Sequence, residues 1–102
     1  MEGMDIPNRE EVAAQWNRVI NREITREEAH VWAKPWVEER DDEIADPMVR
    51  SALLRLHGFD MIYVDDERRV VRHGGDGPYV HASASIAAAF GQWKAKCRHM
   101  PS

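Results

Sequence analysis

Two histidines, an aspartate and a tyrosine flank a glycine-rich segment in the order His73, Asp76, Tyr79, His81, around HGGDGP at 73–78. Brought together across a hairpin, two imidazoles and a carboxylate would form an acid/base site, because histidine titrates near neutral pH. The segment lacks the Lys-Ser/Thr and helix start of a phosphate loop, and Ser83 and Ser85 lie outside any G-x-S-x-G elbow. No nucleophile stands beside a base, so no catalytic residue is assigned and the expected protein is not an enzyme. A small enzyme or ligand-binding domain on the His73–His81 loop is the first alternative.

Five histidines, Cys97 and 18 acids raise the question of a metal. No C-x-x-C pair, H-E-x-x-H or EF-hand spacing occurs, and Cys97 with His99 is a pair two residues apart near the C-terminus. DDEIADPM offers neither the loop length nor the glycine of a calcium loop. The expectation is therefore no metal ligand and no cofactor. Cys97 is the single cysteine and has no partner for an internal disulfide.

The densest chemical feature is EERDDEIADP at 38–47, which places six carboxylates and one arginine next to Trp32 and Trp36. Residues 1–67 hold 17 acids and 8 Lys/Arg, a balance of −9, whereas 68–102 hold 1 acid and 6 Lys/Arg, a balance of +5. Trp32 and Trp36, one turn apart beside Pro35, read first as core residues and second as exposed anchors; in the second reading, indoles beside carboxylates suit rapid docking on a basic protein surface, since charge complementarity raises the on-rate and aromatic anchors dominate interface energetics. The expected partner-binding residues are Trp32, Trp36, Glu38, Glu39, Asp41, Asp42 and Glu43, with Asp65, Asp66 and Glu67 in a second acidic turn. RRVVRH at 68–73 and KAKCRH at 94–99 are basic, but strand alternation sets Arg68 and Arg72 against Arg69. The net charge of −4 also repels phosphate. A nucleic-acid-binding regulator is accordingly the second alternative, with nucleic acid ranked below a protein partner.

The elements that must hold these groups follow from local signals. Asn8 with Glu11 marks a helix over about 9–22, its apolar stripe formed by Val12, Trp16, Val19 and Ile20. Thr25 with Glu28 starts a second helix near 26, which Pro35 should kink or restart by removing a backbone donor. Asp46 before Pro47 opens a third helix, with Val49, Ala52, Leu53 and Leu56 inward and Gly58 as a left-handed stop. Beyond Gly58 the period falls toward 2: FDMIYV and RRVVRH predict an antiparallel hairpin and YVH a further short strand. A last helix, capped by Ser83 or Ser85, carries Ile86, Phe90, Trp93 and Cys97 on one stripe. Trp16 and Trp93 are core residues by the same spacing.

The order α-α-α-β-β-(β)-α defines one α+β domain over 1–102, about four helices packed on a small two- to three-stranded antiparallel sheet, with flexible ends at 1–7 and 99–102. No apolar run approaches the roughly 20 residues that span a bilayer, and no secretory h-region opens the chain, so a cytoplasmic location is expected. The run WAKPWVEERDDEIADPMVRSALLRLHGFDMIYVDD, a proline-interrupted tryptophan pair followed by an acidic linker and a D-P helix, resembles small bacterial proteins of the toxin-immunity type. The resemblance implies a binding role: an immunity protein that neutralises a basic toxin by occluding its active cleft with an acidic surface.

Overall fold

Local capping chemistry sets the helix starts. In the computed structural model, which describes residues 6–65, 67–75 and 77–100, the Asn8 side chain accepts from the Glu11 amide at 2.8 Å while Glu11 accepts from the Asn8 amide at 3.0 Å. This reciprocal box satisfies two donors that the helix leaves unpaired and opens α1, Arg9–Ile20. Thr25 and Glu28 repeat it at 2.8 and 3.0 Å to open α2, Arg26–Lys34. Pro35 cannot continue the regular ladder, and the chain passes through a π-turn at Pro35–Glu39 and a 3₁₀ turn at Asp41–Glu43. Helix α3, Pro47–Gly58, begins on Asp46, and α4, Ser83–His99, closes the chain.

Gly58 is a correction to the sequence reading. It is the last residue of α3, buried, and followed by Phe59 in the right-handed region rather than by a left-handed stop. A Cβ at Gly58 would meet only the flexible end of the Met61 side chain, Cε at 3.3 Å. The N-cap of α4 also differs: Ala82 occupies it with no side-chain hydrogen bond, because Ser83 is already helical and its hydroxyl is taken by Arg26.

The core is helix against helix. Val12, Trp16 and Val19 of α1, Ala29 and Ala33 of α2, Met48, Val49, Ala52, Leu53 and Leu56 of α3, and Ile86, Phe90 and Trp93 of α4 form one cluster with Trp36, Ile44 and Phe59. Trp16 lies at its centre, fully buried, with ring centroids 5.7, 5.2 and 5.8 Å from Phe59, Phe90 and Trp93. Both central indoles are satisfied: Trp16 Nε1 donates to the Ile86 carbonyl at 3.1 Å and Trp93 Nε1 to the Met48 carbonyl at 2.8 Å. No helix among the described residues is long and apolar enough to cross a membrane.

Strands β1, Met61–Tyr63, and β2, Val71–His73, pair antiparallel at the margin of this bundle, with Ile62 opposite Arg72. They are shorter than FDMIYV and RRVVRH suggest. Phe59 is drawn into the helical core, and Asp65 accepts from the amides of Arg69 and Val70 at 2.9 and 3.0 Å, folding that end into a turn. The expected third strand is a single bridge between Ile62 and Tyr79 on the other edge of β1. The α+β class and element order stand as read, with a two-stranded sheet.

Asp46 ties three helices together. Its carboxylate caps α3 by accepting from the Met48 amide at 2.9 Å and takes two bonds from the Arg9 guanidinium at 2.7 and 3.1 Å, while Arg9 also donates to the Cys97 carbonyl of α4 at 3.2 Å. Asp46→Ala is expected to lower stability by about 0.5–2 kcal/mol through the lost cap alone. Chemical denaturation would read this as a lower midpoint at unchanged slope.

Candidate functional site

The β1–β2 hairpin presents three arginines, Arg68 and Arg69 in its turn and Arg72 in β2. Arg68 adopts a left-handed conformation, φ 59°, with its guanidinium 5.2 Å from the centroid of the Tyr63 ring. Arg69 pairs with Glu67, and Arg72 Nε donates to the Gly74 carbonyl at 3.0 Å. All three side chains are exposed, as is every residue of β2, and Val64, Val70 and Val71 expose apolar surface among them. Arg68 and Arg69 precede β2 and belong to the turn, whereas Arg72 is the middle residue of β2. Tyr63, Arg68, Arg72 and Pro78 line a groove of about 510 Å³. Gly77 allows the returning chain to approach it, since a Cβ there would fall 2.5 Å from the Tyr63 carbonyl oxygen.

That returning chain leads directly into α4, where a second basic group lies. Arg26 donates to the carbonyl of His81 and, at 3.3 Å, to the Ser83 hydroxyl, and its guanidinium rests 3.9 Å over the Tyr79 ring. Burial, followed by the charges of Arg55 and Arg26, pushes His81 below its ordinary pKa. The first turn of α4 contains no acid and its N-cap gives no side-chain bond, so its leading amides retain their partial positive charge. An exposed hairpin with three arginines and an uncapped helix start with Arg26 and Arg55 nearby are together suited to anionic oxygens. Arg26 and Arg55 carry no local signal in the sequence; they join this region only because α2 and α3 pack beside the start of α4.

The acidic run is occupied by the chain's own bases. Glu38 pairs with His57 at 2.7 Å, Asp41 with Arg50 at 3.2 Å, and Glu43 takes two bonds from Arg40 at 2.7 and 2.8 Å. Trp36 is buried at 3% exposure with Arg40 over its ring, and Trp32 is half-buried against the core. Trp36 is thus a core residue, the first of its two readings, and not an exposed anchor. Glu39 and Asp42 are exposed, Asp65 closes the hairpin turn, Glu67 faces Arg69, and Asp66 lies outside the described residues. Nor do His73 and His81 share a site. His73 Nδ1 meets Asp60 at 2.6 Å, His81 packs edge-on to Phe59, and the Tyr79 hydroxyl donates to Glu27 at 3.1 Å; Asp76 lies outside the described residues.

The paired acids give a signed pH dependence. Hydrogen bonds from Arg9, His57 and Arg40 hold Asp46, Glu38 and Glu43 below their ordinary pKa values. A depressed carboxylate contributes stability that is full above its unfolded pKa and lost as pH falls through the folded one, so these three contributions should fade below about pH 4. His81, also depressed, acts earlier: the unfolded chain takes up its proton first, and stability should begin to decline below about pH 6.5. Urea midpoints between pH 3 and 8 would show both steps, and His81→Gln should remove the upper one.

The chain belongs to the YxzC DNA-binding protein family, whose model matches residues 1–91. No curated protein and no solved structure matches the chain. The family is described by DNA binding and is not a toxin-immunity family. It corrects the resemblance drawn from residues 32–66, and with it the immunity role, the basic toxin partner and the ranking of nucleic acid below a protein partner.

Proposed function

We propose that this chain, as a member of that family, is a non-enzymatic DNA-binding protein that grips the phosphate backbone with the β1–β2 turn and the start of α4. The observation that carries the reading is the family match over residues 1–91. The location of the surface is supported by the charge division, with 68–102 at +5, and by the exposure of Arg68, Arg69 and Arg72 on one hairpin. Arginines that neutralise phosphates release condensed counterions, which supplies most of the affinity for duplex DNA and makes it fall with salt. Apolar Val70 and Val71 beside those arginines give the turn a hydrophobic tip of the kind that can lie against sugar edges in a groove.

The net charge of −4 is not an obstacle at working salt. Charges separated by more than roughly 8 Å are screened at 0.15 M, and Glu38, Asp41 and Glu43 are each paired within the chain. DNA binding also agrees with a cytoplasmic setting.

The test is a fluorescence anisotropy titration of a labelled duplex of roughly 25 bp across 50–300 mM salt. A linear fall of log K with log salt, with a slope of about −2.7 to −4.5, is expected for three to five phosphate contacts. Flat titrations at the lowest salt would dismiss the proposal.

A further inference from the structure

Three histidines from three elements converge beside the hairpin. His30 lies in α2, His57 in the last turn of α3 and His73 at the end of β2, and their ring centroids are 4.5, 4.4 and 4.7 Å apart pairwise. One ring nitrogen from each lies within 4.8 Å of those of the other two. We propose that His30, His57 and His73 form a binding site for a divalent transition-metal ion of the zinc class.

The hydrogen bonds around the rings support this assignment. His30 Nδ1 meets the His57 carbonyl oxygen at 2.7 Å, His57 Nε2 meets Glu38 at 2.7 Å, and His73 Nδ1 meets Asp60 at 2.6 Å. Each ring thus has one nitrogen facing an oxygen acceptor, which places the proton of a neutral imidazole on that nitrogen and leaves the other as a lone-pair donor to a metal. Carboxylate or carbonyl oxygens behind metal-bound imidazoles are the usual supporting arrangement, because they fix the tautomer and raise ligand basicity. Asp60 is 3% exposed and also lies 3.6 Å from His30 Nδ1, so one buried carboxylate faces two of the three rings.

Three neutral imidazoles suit zinc, copper or nickel and not calcium or magnesium, which take oxygen ligands. Nitrogens around a tetrahedral zinc lie about 3.3 Å apart, so the rings need to close by no more than about 1.5 Å. His73 is the ring best able to move, since it is the most exposed of the three and sits on an edge strand. His30 and His57 are anchored on packed helices. Three protein ligands leave a fourth position for water or another donor. His73 follows Arg72 in β2, so the site borders the proposed DNA contact; zinc binding is read without DNA, and its success or failure is therefore distinguishable from that reading.

Sequence spacing gave no sign of it, because the ligands are 27 and 16 residues apart and no pair lies within one turn or loop.

The full-length chain, stripped with chelator, should be titrated with zinc chloride by calorimetry and with cobalt(II) by visible absorption. One ion per chain is expected, with cobalt d–d bands of a tetrahedral nitrogen site and no thiolate charge-transfer band, which separates this site from Cys97 and His99. His73→Gln, on an exposed strand, should retain the circular dichroism of the wild type and weaken zinc binding at least about 100-fold. Asp60→Asn should weaken it about 10–100-fold. The melting temperature should rise with zinc in the wild type but not in His73→Gln. Zinc affinity unchanged by His73→Gln, or wild-type binding no stronger than that of His30→Gln/His57→Gln/His73→Gln, would overturn the proposal.

Discussion

Truncation of Trp16 to alanine is expected to cost about 3–5 kcal/mol and leave the chain largely unfolded at 37 °C. The indole is fully buried, contacts Phe59, Phe90 and Trp93, and joins α1 to α4 through its bond to the Ile86 carbonyl. Removing it opens a cavity between helices that cannot collapse without displacing three other aromatic rings, and it removes the indole donor that ties α1 to the Ile86 carbonyl of α4. Trp16→Phe separates the two contributions: most of the apolar area is retained and the donor is lost, so a cost of about 1–3 kcal/mol is expected. Trp32→Ala provides the contrast, since that ring is only half-buried at the edge of the cluster. Urea denaturation followed by tryptophan fluorescence would order the three. A Trp16→Ala protein as stable as Trp32→Ala would refute the central placement of Trp16.

Removing the three hairpin arginines together should abolish most DNA affinity without unfolding the chain. Arg68→Gly suits the left-handed conformation at that position, and Arg69→Ser and Arg72→Ser replace exposed side chains, so the stability change should remain within about 1 kcal/mol. Each lost phosphate contact lowers the salt slope by about 0.9, so the triple variant should flatten it by about 2.7 and weaken binding near physiological salt on the order of a hundredfold. The loss should be nearly uniform across sequences, because phosphate contacts carry no base information. If the triple variant binds with wild-type slope, the DNA contact lies elsewhere on the chain.

The acidic run shows how charge along the chain can mislead about charge at a surface. Carboxylates at 38–43 look like an unpaired patch when read in order, and the C-terminal basic stretches look like their complement. In the folded chain, Glu38 answers a histidine 19 residues away and Asp41 an arginine nine residues away, and Trp36 is buried in the core. Among the hairpin arginines, the Asp65 turn places Arg68 and Arg69 before β2 begins, and Arg68 and Arg72 line a groove that does not include Arg69.

What the sequence determined by itself was whatever depends on interactions within about four residues. The caps at Asn8, Thr25 and Asp46, the break at Pro35, the stripes that bury Trp16 and Trp93 and the position of the hairpin are all of this kind. Their free energies are local, and residue type with spacing therefore suffices to place them. Tertiary structure alone decided which distant groups meet: Arg26 and Arg55 near the start of α4, Arg9 across to Asp46 and Cys97, and His30, His57 and His73 around one point. Those meetings depend on how α1 to α4 close around a shared core. The closure is determined by packing summed over the whole cluster, and no single segment of the chain encodes it.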